Sequence, residues 1–432
     1  MSRFPRSILY AVSAGLILAR GAASTSAGET PEPGELQIQN RRLQQQVSQQ
    51  QQQIDELRQR LEMLEKNSPP ARPGPNPGPI ESDRQIRLSG EAAFAFFRSG
   101  TDGQYPNSEF RVDDAKIFVE ARVWRNAYVF GGLELTTREA NDEYFHVGEL
   151  YADVEQLATV GRDAVLNLRA GRFSLPFGEE YQTRNALDNP LISHSVADIW
   201  GIDEGVQLYG SLGRLSYNLA VQNGGHKMLH DFNSDKSVVA RMSFDVTPQL
   251  HVSASAMRTG TLNAVNDIYS EVWLANGFFR ALGPTTATTT FAASLTELDA
   301  AWHWRTGHVS AAAGWIRFDD NNPAADDSRR LDYFSLESSQ QLSGGWYGGA
   351  RYSEIHSAGG YPLIGQGKPA AYFYNPFAPL TTDLRRLSLG LRYQFAPPLA
   401  LKLEYSWETR RQKSGTEQDD TNLLSTQLAL RF

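Results

Sequence analysis

Cysteine is absent from this chain of 432 residues, and lysine occurs only seven times. Without cysteine there is no disulfide framework, so a large hydrogen-bonded architecture has to supply the stability of the fold. Beyond the first thirty positions, no apolar run reaches the roughly 20 residues that a transmembrane helix needs. A β-barrel membrane protein is not excluded, because each of its strands crosses with about 9–11 residues, half of which face water.

The amino-terminal residues are typical of an exported protein. Arg3 and Arg6 precede an apolar stretch at 8–19, and small residues follow as far as Ala27. This order of basic, apolar and small residues predicts a signal peptide over 1–27, with cleavage after Ala23 or Ala27. The apolar stretch is too short for a membrane anchor.

Residues 34–67 carry a heptad repeat that predicts a coiled-coil helix. One core position holds Asn40, Val47, Ile54 and Leu61, and the other holds Leu36, Leu43, Gln50, Leu57 and Leu64. The alternative is a disordered glutamine-rich tract over 44–53. Prolines then recur up to Pro79 and cannot continue a helix, so 68–84 is predicted to be an extended linker before a second domain at 85–432.

From about residue 85 to the end, the sequence alternates with a period of two. In the last segment, Leu424, Leu428 and Phe432 share one face, while Gln427 and Arg431 share the other. This is typical of a strand between lipid and a watery lumen. Sixteen such segments occur, at 85–97, 110–124, 127–136, 146–156, 164–174, 204–211, 214–222, 237–247, 250–259, 294–305, 308–318, 331–341, 345–355, 386–396, 399–409 and 423–432.

The connections between these segments fall into two length classes. Long ones, such as 98–109 and 175–203, alternate with tight ones, such as 125–126 and 212–213. Long outer loops and short periplasmic turns are typical of outer-membrane barrels, whereas a soluble sandwich or propeller would not sort its turns in this way. We therefore predict an all-β, 16-stranded antiparallel transmembrane barrel in the cell outer membrane, with its first and last strands paired and the coiled coil in the periplasm.

The third outer loop is predicted to fold into the barrel and form its constriction. It contains apolar side chains, among them Leu191, Ile199 and Trp200, that a solvated loop would not need. Its charged or titratable residues, which would line the constriction, are Glu179, Glu180, Arg184, Asp188, His194 and Asp198.

Three runs around this loop carry a family resemblance. They are NLRAGRFSLPFGE at 167–179, DEGVQLYG at 203–210 and YNLAVQNG at 217–224. The chain resembles the phosphate-selective porins of the O and P type over 85–432, and most strongly over 165–224. The resemblance implies a trimeric anion channel with an arginine ladder and a lysine cluster. The chain departs from this pattern in lysine, since none of its seven lies in the third loop.

The alternation also predicts which charged side chains face the lumen. The expected anion path consists of Arg87, Lys116, Arg122, Arg169, Arg241, Arg386, Arg392, Lys402 and Arg431. Most of these belong to the last three and first two strands, which are contiguous in a closed barrel, whereas Glu149, Asp153, Glu155, Glu297 and Asp299 make other strands acidic. With 41 basic and 49 acidic residues overall, this pattern favours a general pore over a dedicated phosphate trap.

The sequence therefore predicts an outer-membrane porin, a passive channel for small polar solutes, with anions such as phosphate preferred. The alternative is an envelope-tethering barrel whose coiled coil contacts peptidoglycan. The expected partners are outer-membrane lipid and lipopolysaccharide, two further copies of the chain in a homotrimer, and peptidoglycan, with no nucleic acid. No enzyme, cofactor or metal site is predicted: His194, Asp198 and the serines at 193 and 195 superficially resemble a hydrolytic set, but neighbours in one loop rarely form a triad.

Overall fold

Alternating strands make up most of the structure. The computed structural model describes residues 86–137, 146–224, 234–263, 288–321, 328–363, 365–367, 379–418 and 420–432. The predicted signal peptide, coiled coil and linker lie outside the described residues.

Sixteen long antiparallel strands are present within the described residues, as the alternation predicted. They are β1 Ile86–Ser99, β2 Glu109–Trp124, β3 Ala127–Thr137, β4 His146–Val160, β5 Asp163–Ser174, β6 Ile202–Leu212, β7 Leu215–Gln222, β8 Ser237–Asp245, β9 Leu250–Arg258, β10 Thr290–Trp304, β11 Gly307–Asp320, β12 Arg329–Ser343, β13 Trp346–Tyr361, β14 Thr381–Ala396, β15 Leu399–Gln412 and β16 Leu423–Arg431. Two-residue segments, Leu262–Asn263 and Glu417–Gln418, extend the pairing of β10 and β15.

Several strands are longer than predicted. β10 begins at Thr290 rather than 294, and β13 continues to Tyr361 rather than 355. β4 continues to Val160 past an irregular pairing between Val154 and Ala158, where the sequence pattern is interrupted and the prediction ended the strand at 156. The strands continue because backbone hydrogen bonds between neighbouring strands also form at residues whose side chains no longer alternate in polarity.

The barrel closes by pairing β1 with β16, which confirms the predicted closure. The register places Glu91 opposite Arg431 and Ser99 opposite Leu423. Phe432 and Gly90 extend the seam, since the amide of each donates to the carbonyl of the other, at 2.9 and 3.0 Å. No strand edge is left unpaired at this seam, which removes the liability of an open sheet.

The two faces of the wall differ in polarity. On β15, Lys402 and Glu404 point inward and are 2% and 1% exposed, whereas Leu401 and Leu403 point outward and are each 45% exposed. Apolar outward and polar inward positions alternate in this way in barrels that face lipid. Within the described residues, no helix is long and apolar enough to span a bilayer.

Short turns and long loops lie at opposite ends of the wall. Residues 125–126, 213–214 and 305–306 connect strands at the short-turn end, and 100–108, 175–201 and 223–236 do so at the long-loop end. The segment 175–201, between β5 and β6, is called loop L3 below. Its Leu175, Phe177 and Val196 belong to the main apolar cluster, together with inward side chains of the wall such as Leu295 and Ile316.

Candidate pore and its constriction loop

Loop L3 lies against the inner face of the barrel wall. After β5 it makes one 3₁₀ turn, Glu180–Thr183, and it returns to the wall at β6. Leu187, Leu191 and Ile192 are buried, as its apolar content led us to expect. Four groups of contacts fix it to the strands from β8 to β16.

The first group of contacts fixes the start of L3 to β8 and β9. Glu179 pairs with Arg241, and its Oε1 lies 3.0 Å from Nε2 of His251. The Gly178 amide donates to Oγ of Ser255 at 3.0 Å. Gly178 has a φ of +70°, and a Cβ there would lie 2.3 Å from a carboxylate oxygen of Glu297, so only glycine fits.

The second group centres on Arg351 of β13. Its Nε donates to Glu337 of β12 at 2.8 Å, and its other nitrogens donate to the Ser193 carbonyl at 2.5 Å and to Oδ1 of Asn189 at 3.0 Å. Ser353 on the same strand accepts the Val196 amide at 3.1 Å. One arginine thus joins two strands to the middle of L3 through fixed, charge-assisted hydrogen bonds.

The third group lies on β15. The Lys402 ammonium donates to the carbonyls of Ala186, Asn189 and Leu191. Glu404 accepts the amides of Ile192 and Ser193, at 2.5 and 2.8 Å, and the Ser193 hydroxyl.

Two inward glycines leave room for the same part of L3. A Cβ at Gly390 would lie 2.5 Å from Cδ2 of Leu191, and one at Gly349 would lie 3.0 Å from the same atom. The wall is therefore recessed where Leu191 packs against β13 and β14. Glycine within a strand often marks such a close approach.

The fourth group fixes the exposed side of L3 to the barrel seam. Arg431 of β16 donates to Asp188 at 2.8 Å and to Oδ1 of Asn185 at 2.8 Å. Its guanidinium also lies 3.7 Å from Glu91 of β1. Partial burial disfavours the charged form of Asp188, but hydrogen bonds from Arg431 and Asn185 lower the pKa of this carboxyl overall.

Loop L3 also has internal polar contacts. Glu180 accepts the amide of Ser195 at 2.8 Å and its hydroxyl at 2.5 Å. Asp198 pairs with Arg184 and lies 2.9 Å from Nδ1 of His194. Burial, together with the neighbouring Asp198, raises the pKa of Glu180 above its ordinary value.

These contacts do not assemble a hydrolytic triad. Asp198 does lie beside His194, but the Ser193 hydroxyl donates to Glu404 and the Ser195 hydroxyl donates to Glu180. Both serines thus serve as hydrogen-bond anchors of L3 rather than as nucleophiles next to a base. Among the described residues, no cluster of three or more side chains has the arrangement of a metal site.

The predicted anion-path residues face inward, and most of them pair with carboxylates. Arg386 donates to Glu408 at 2.7 Å, and Arg169 donates to Asp153 at 2.8 Å. The remaining pairs are Arg241 with Glu179, Lys116 with Asp114 and Glu91, Arg87 with Glu120, and Arg431 with Asp188 and Glu91.

The other three predicted basic residues have different contacts. Arg392 donates to the side chain of Gln394, Arg122 donates to the carbonyls of Trp124 and Arg125, and Lys402 binds L3. Lys402 and Arg386 are buried, whereas the side chains of Lys116 and Arg169 are 21% and 24% exposed. The structure therefore divides the nine into residues that fix L3 or a turn and residues that still border open lumen.

Arg351 and Ser353 are functional anchors that the sequence analysis missed. Both lie on a predicted strand, 345–355, and the alternation there places them on the inward face. The inward position of Arg351 could therefore have been read from the sequence. The recesses at Gly349 and Gly390 had no sequence signal, because they depend on where Leu191 lies.

A cavity of about 460 Å³ lies between L3 and the inner faces of the strands from β9 to β13. Glu297 and Asp299 of β10 border it; they accept hydrogen bonds from Tyr333 at 2.6 Å and Ser253 at 2.9 Å. The other titratable side chains that line the cavity are Glu179, Glu180, Tyr181, Asp188, Asp245, His251, His303, His308, Glu337 and Arg351. This part of the lumen is therefore polar and carries more acidic than basic groups.

Comparisons with known proteins identify the barrel architecture. The chain is similar to the outer membrane channel DcaP of Acinetobacter baumannii, with a TM-score of 0.52 and 11% identity over 82% of this chain and 99% of that one. It is also similar to an anion-selective porin from Comamonas acidovorans (TM-score 0.50, 10% identity, 81% and 99% covered) and to the trimer form of OmpT, an outer membrane protein of Vibrio cholerae (0.50, 12%, 81% and 99%). No protein-family model matches the sequence, and curated proteins give no significant match. At these identities the likeness establishes the fold, a closed sixteen-stranded antiparallel barrel.

Proposed function

We propose that this protein is an outer-membrane porin, a passive water-filled channel for small polar solutes. The observation that carries the proposal is the combination of a closed sixteen-stranded wall, polar on its inner face, with a loop fixed inside it. Barrels of this size are wide enough for an aqueous channel rather than a filled interior. DcaP, described as an outer membrane channel, and the Comamonas porin support the same reading.

Loop L3 would set the width of the channel in this proposal. Its contacts with β8, β13, β15 and β16 hold it against the wall, so the open passage has a fixed border. Charged groups at the border include Asp188 and Arg431, whose side chains are 46% and 41% exposed. Such a border sorts solutes by size and charge without a stoichiometric binding site.

We also propose that the channel prefers anions such as phosphate. Lys116 and Arg169 support it, because both border open lumen; the Arg169 guanidinium lies 4.0 Å from the centre of the Tyr151 ring. Their acidic partners oppose it, so we expect a weak preference rather than a phosphate trap. The homotrimer also belongs to the proposal, and the trimer form of Vibrio OmpT supports it.

Planar-bilayer recording tests the channel directly. Purified protein should give stepwise conductance that scales with bulk salt conductivity, and the reversal potential in a KCl gradient should report the sign of the preference. Phosphate added to one side at constant chloride would then show competition. Correctly folded protein that gives no conductance steps would overturn the channel.

A further inference from the structure

Two histidines lie directly opposite each other at the short-turn end of the barrel. The β10–β11 register pairs His303 with His308, next to the turn at 305–306. The amide of His303 donates to the carbonyl of Gln249, just before β9, at 2.8 Å. Because its backbone groups point toward β9, His303 forms a non-hydrogen-bonded pair with His308, the arrangement in which opposite side chains come closest. The two ring centroids are 5.6 Å apart.

Both rings face the lumen. On β10, the adjacent Trp302 and Trp304 point outward and are 58% and 40% exposed, and successive side chains of a strand point to opposite faces. On β11, the ring of His308 lies beside Glu337, which Arg351 joins to L3 on the inner face. Both histidines border the cavity between L3 and the wall. An ion in the lumen can therefore reach them.

The ring nitrogens of this pair are available to a ligand. Nε2 of His308 lies 3.2 Å from Oε1 of Glu337. Since the carboxylate accepts there, Nε2 carries the proton and Nδ1 keeps its lone pair. A histidine that binds a metal usually donates its other N–H to a carboxylate in this way, which fixes the ring. The His303 ring has no hydrogen-bond partner among the described residues.

A third histidine nearby is already engaged. His251 on β9 has Nε2 3.0 Å from Glu179 and Nδ1 2.7 Å from Asp245. Both of its nitrogens thus contact carboxylates, one of them on L3. The site we infer is therefore a pair of histidines and not a set of three, in keeping with the lack of a three-residue metal cluster in the described part of the chain.

Two opposed imidazoles indicate the class of ion. Imidazole suits Zn²⁺, Cu²⁺ and Ni²⁺, whereas Mg²⁺ and Ca²⁺ prefer oxygen ligands. Two nitrogens bound to one tetrahedral Zn²⁺ lie about 3.3 Å apart. Rings with centroids 5.6 Å apart reach this separation by small side-chain rotations. Water would fill the other positions, and the acidic lining of the cavity favours a cation electrostatically.

We propose that His303 and His308 bind a divalent transition-metal ion, represented by Zn²⁺, on the inner wall at the short-turn end. The bound ion adds positive charge beside the acidic cavity. Binding does not require conduction. Only the effect of the ion on the reversal potential rests on the proposed channel.

Isothermal titration of Zn²⁺ into purified, tag-free, full-length protein in detergent tests the site. His303→Asn should bind Zn²⁺ roughly tenfold more weakly than the wild type, or worse, because one of two ligands is lost. It should keep the wild-type melting temperature without metal, since the His303 ring makes no hydrogen bond among the described residues. His356→Asn is the matched control. It removes a histidine that also lies beside a carboxylate, Asp383 at 3.1 Å, and should bind Zn²⁺ like the wild type.

Electron paramagnetic resonance with Cu²⁺ identifies the ligands. The wild type should show coupling to two nitrogens, and His303→Asn should show coupling to one. Equal Zn²⁺ affinity in His303→Asn and the wild type would overturn the site. Displacement of Zn²⁺ by equimolar Mg²⁺ would also overturn it, because the ion would then be held by carboxylates.

Planar-bilayer recording tests the effect on the lumen. Zn²⁺ should shift the reversal potential of the wild type in a KCl gradient toward the equilibrium potential of chloride, and it should not shift that of His303→Asn. Binding without this shift would overturn the effect on the lumen. A protein that binds Zn²⁺ but never conducts would overturn the channel and leave the metal site supported.

Discussion

Lys402 and Glu404 lie two residues apart on the inward face of β15, and one binds backbone carbonyls of L3 while the other binds its backbone amides. The Lys402 ammonium donates to the carbonyls of Ala186, Asn189 and Leu191, and the Glu404 carboxylate accepts hydrogen bonds from two consecutive amides. One strand thereby satisfies the donors and the acceptors of a buried, irregular segment. Buried backbone groups without such partners are costly, so these two residues offset much of the cost of burying residues 186–193 of L3.

Replacing Lys402 should release the middle of L3. Lys402→Met keeps much of the side-chain volume but leaves three carbonyls of L3 without their donor and removes a positive charge that interacts with Glu404. Removing one member of a buried charged network costs about 3–5 kcal/mol. We expect noisier open-channel current and faster proteolysis within 175–201, with the barrel itself retained.

Lys116→Met is the control for this experiment. Lys116 faces the lumen and pairs with Asp114 at 3.2 Å, so it carries the same charge on a strand, β2, where it does not bind L3. It should leave the current noise and the protease resistance of L3 unchanged. If Lys402→Met behaves like this control, Lys402 does not hold L3.

A side chain at Gly390 should push L3 away from the wall. Gly390→Ala places a methyl group 2.5 Å from the present position of Leu191 Cδ2, and overpacking of this kind costs about 1–3 kcal/mol. Unfolding in urea followed by tryptophan fluorescence should show the loss. Adding Leu191→Ala should recover part of it, because the second change makes room for the first. Gly348→Ala is the matched control, since a Cβ there meets only ordinary contacts with Leu342, at 3.6 Å.

Much of the barrel was predictable because its wall has a regular period. Alternation placed Arg431 inward and positions such as Leu401 outward toward lipid, and both placements follow from local sequence. The role of Lys402 was not predictable, because its three partners lie more than 200 residues earlier in a loop without a period. The alternation identified the inward face of each strand, but it did not show which inward charged residues are covered by L3.

The pH dependence of L3 should have two components of opposite sign. The pKa of Glu180 is raised in the folded protein. Its contribution to the free energy of unfolding is therefore fully present below pH 4.5, the ordinary pKa of a glutamate, and is lost as the pH rises through the raised pKa. The pKa of Asp188 is lowered, so its contribution is present above its ordinary value of 3.8 and is lost as the pH falls through the lowered pKa. When the unfolding midpoint is measured from pH 3 to pH 8, its dependence on pH should therefore become weaker above pH 4.5 in Glu180→Gln and below pH 3.8 in Asp188→Asn.

The controls for this prediction are the two variants themselves, because each should leave the other component intact. Glu180→Gln should keep the acid-side loss that belongs to Asp188. Asp188→Asn should keep the decline on the less acidic side. A single change that flattens both sides would contradict the assignment of the two components to separate carboxyl groups.

The two arginines Arg169 and Arg386 should affect different properties, although both were predicted to form the anion path. Arg386 and Glu408 are 8% and 1% exposed at their side chains, so Arg386→Gln removes the arginine that pairs with a buried carboxylate and should mainly destabilise the barrel. The Arg169 side chain is 24% exposed, so Arg169→Gln makes the open lumen more negative. We expect Arg169→Gln to shift the reversal potential in a KCl gradient toward the equilibrium potential of potassium. Arg386→Gln should lower the unfolding midpoint and shift the reversal potential less. The same reversal-potential shift in both variants would mean that Arg386 also borders the conducting path.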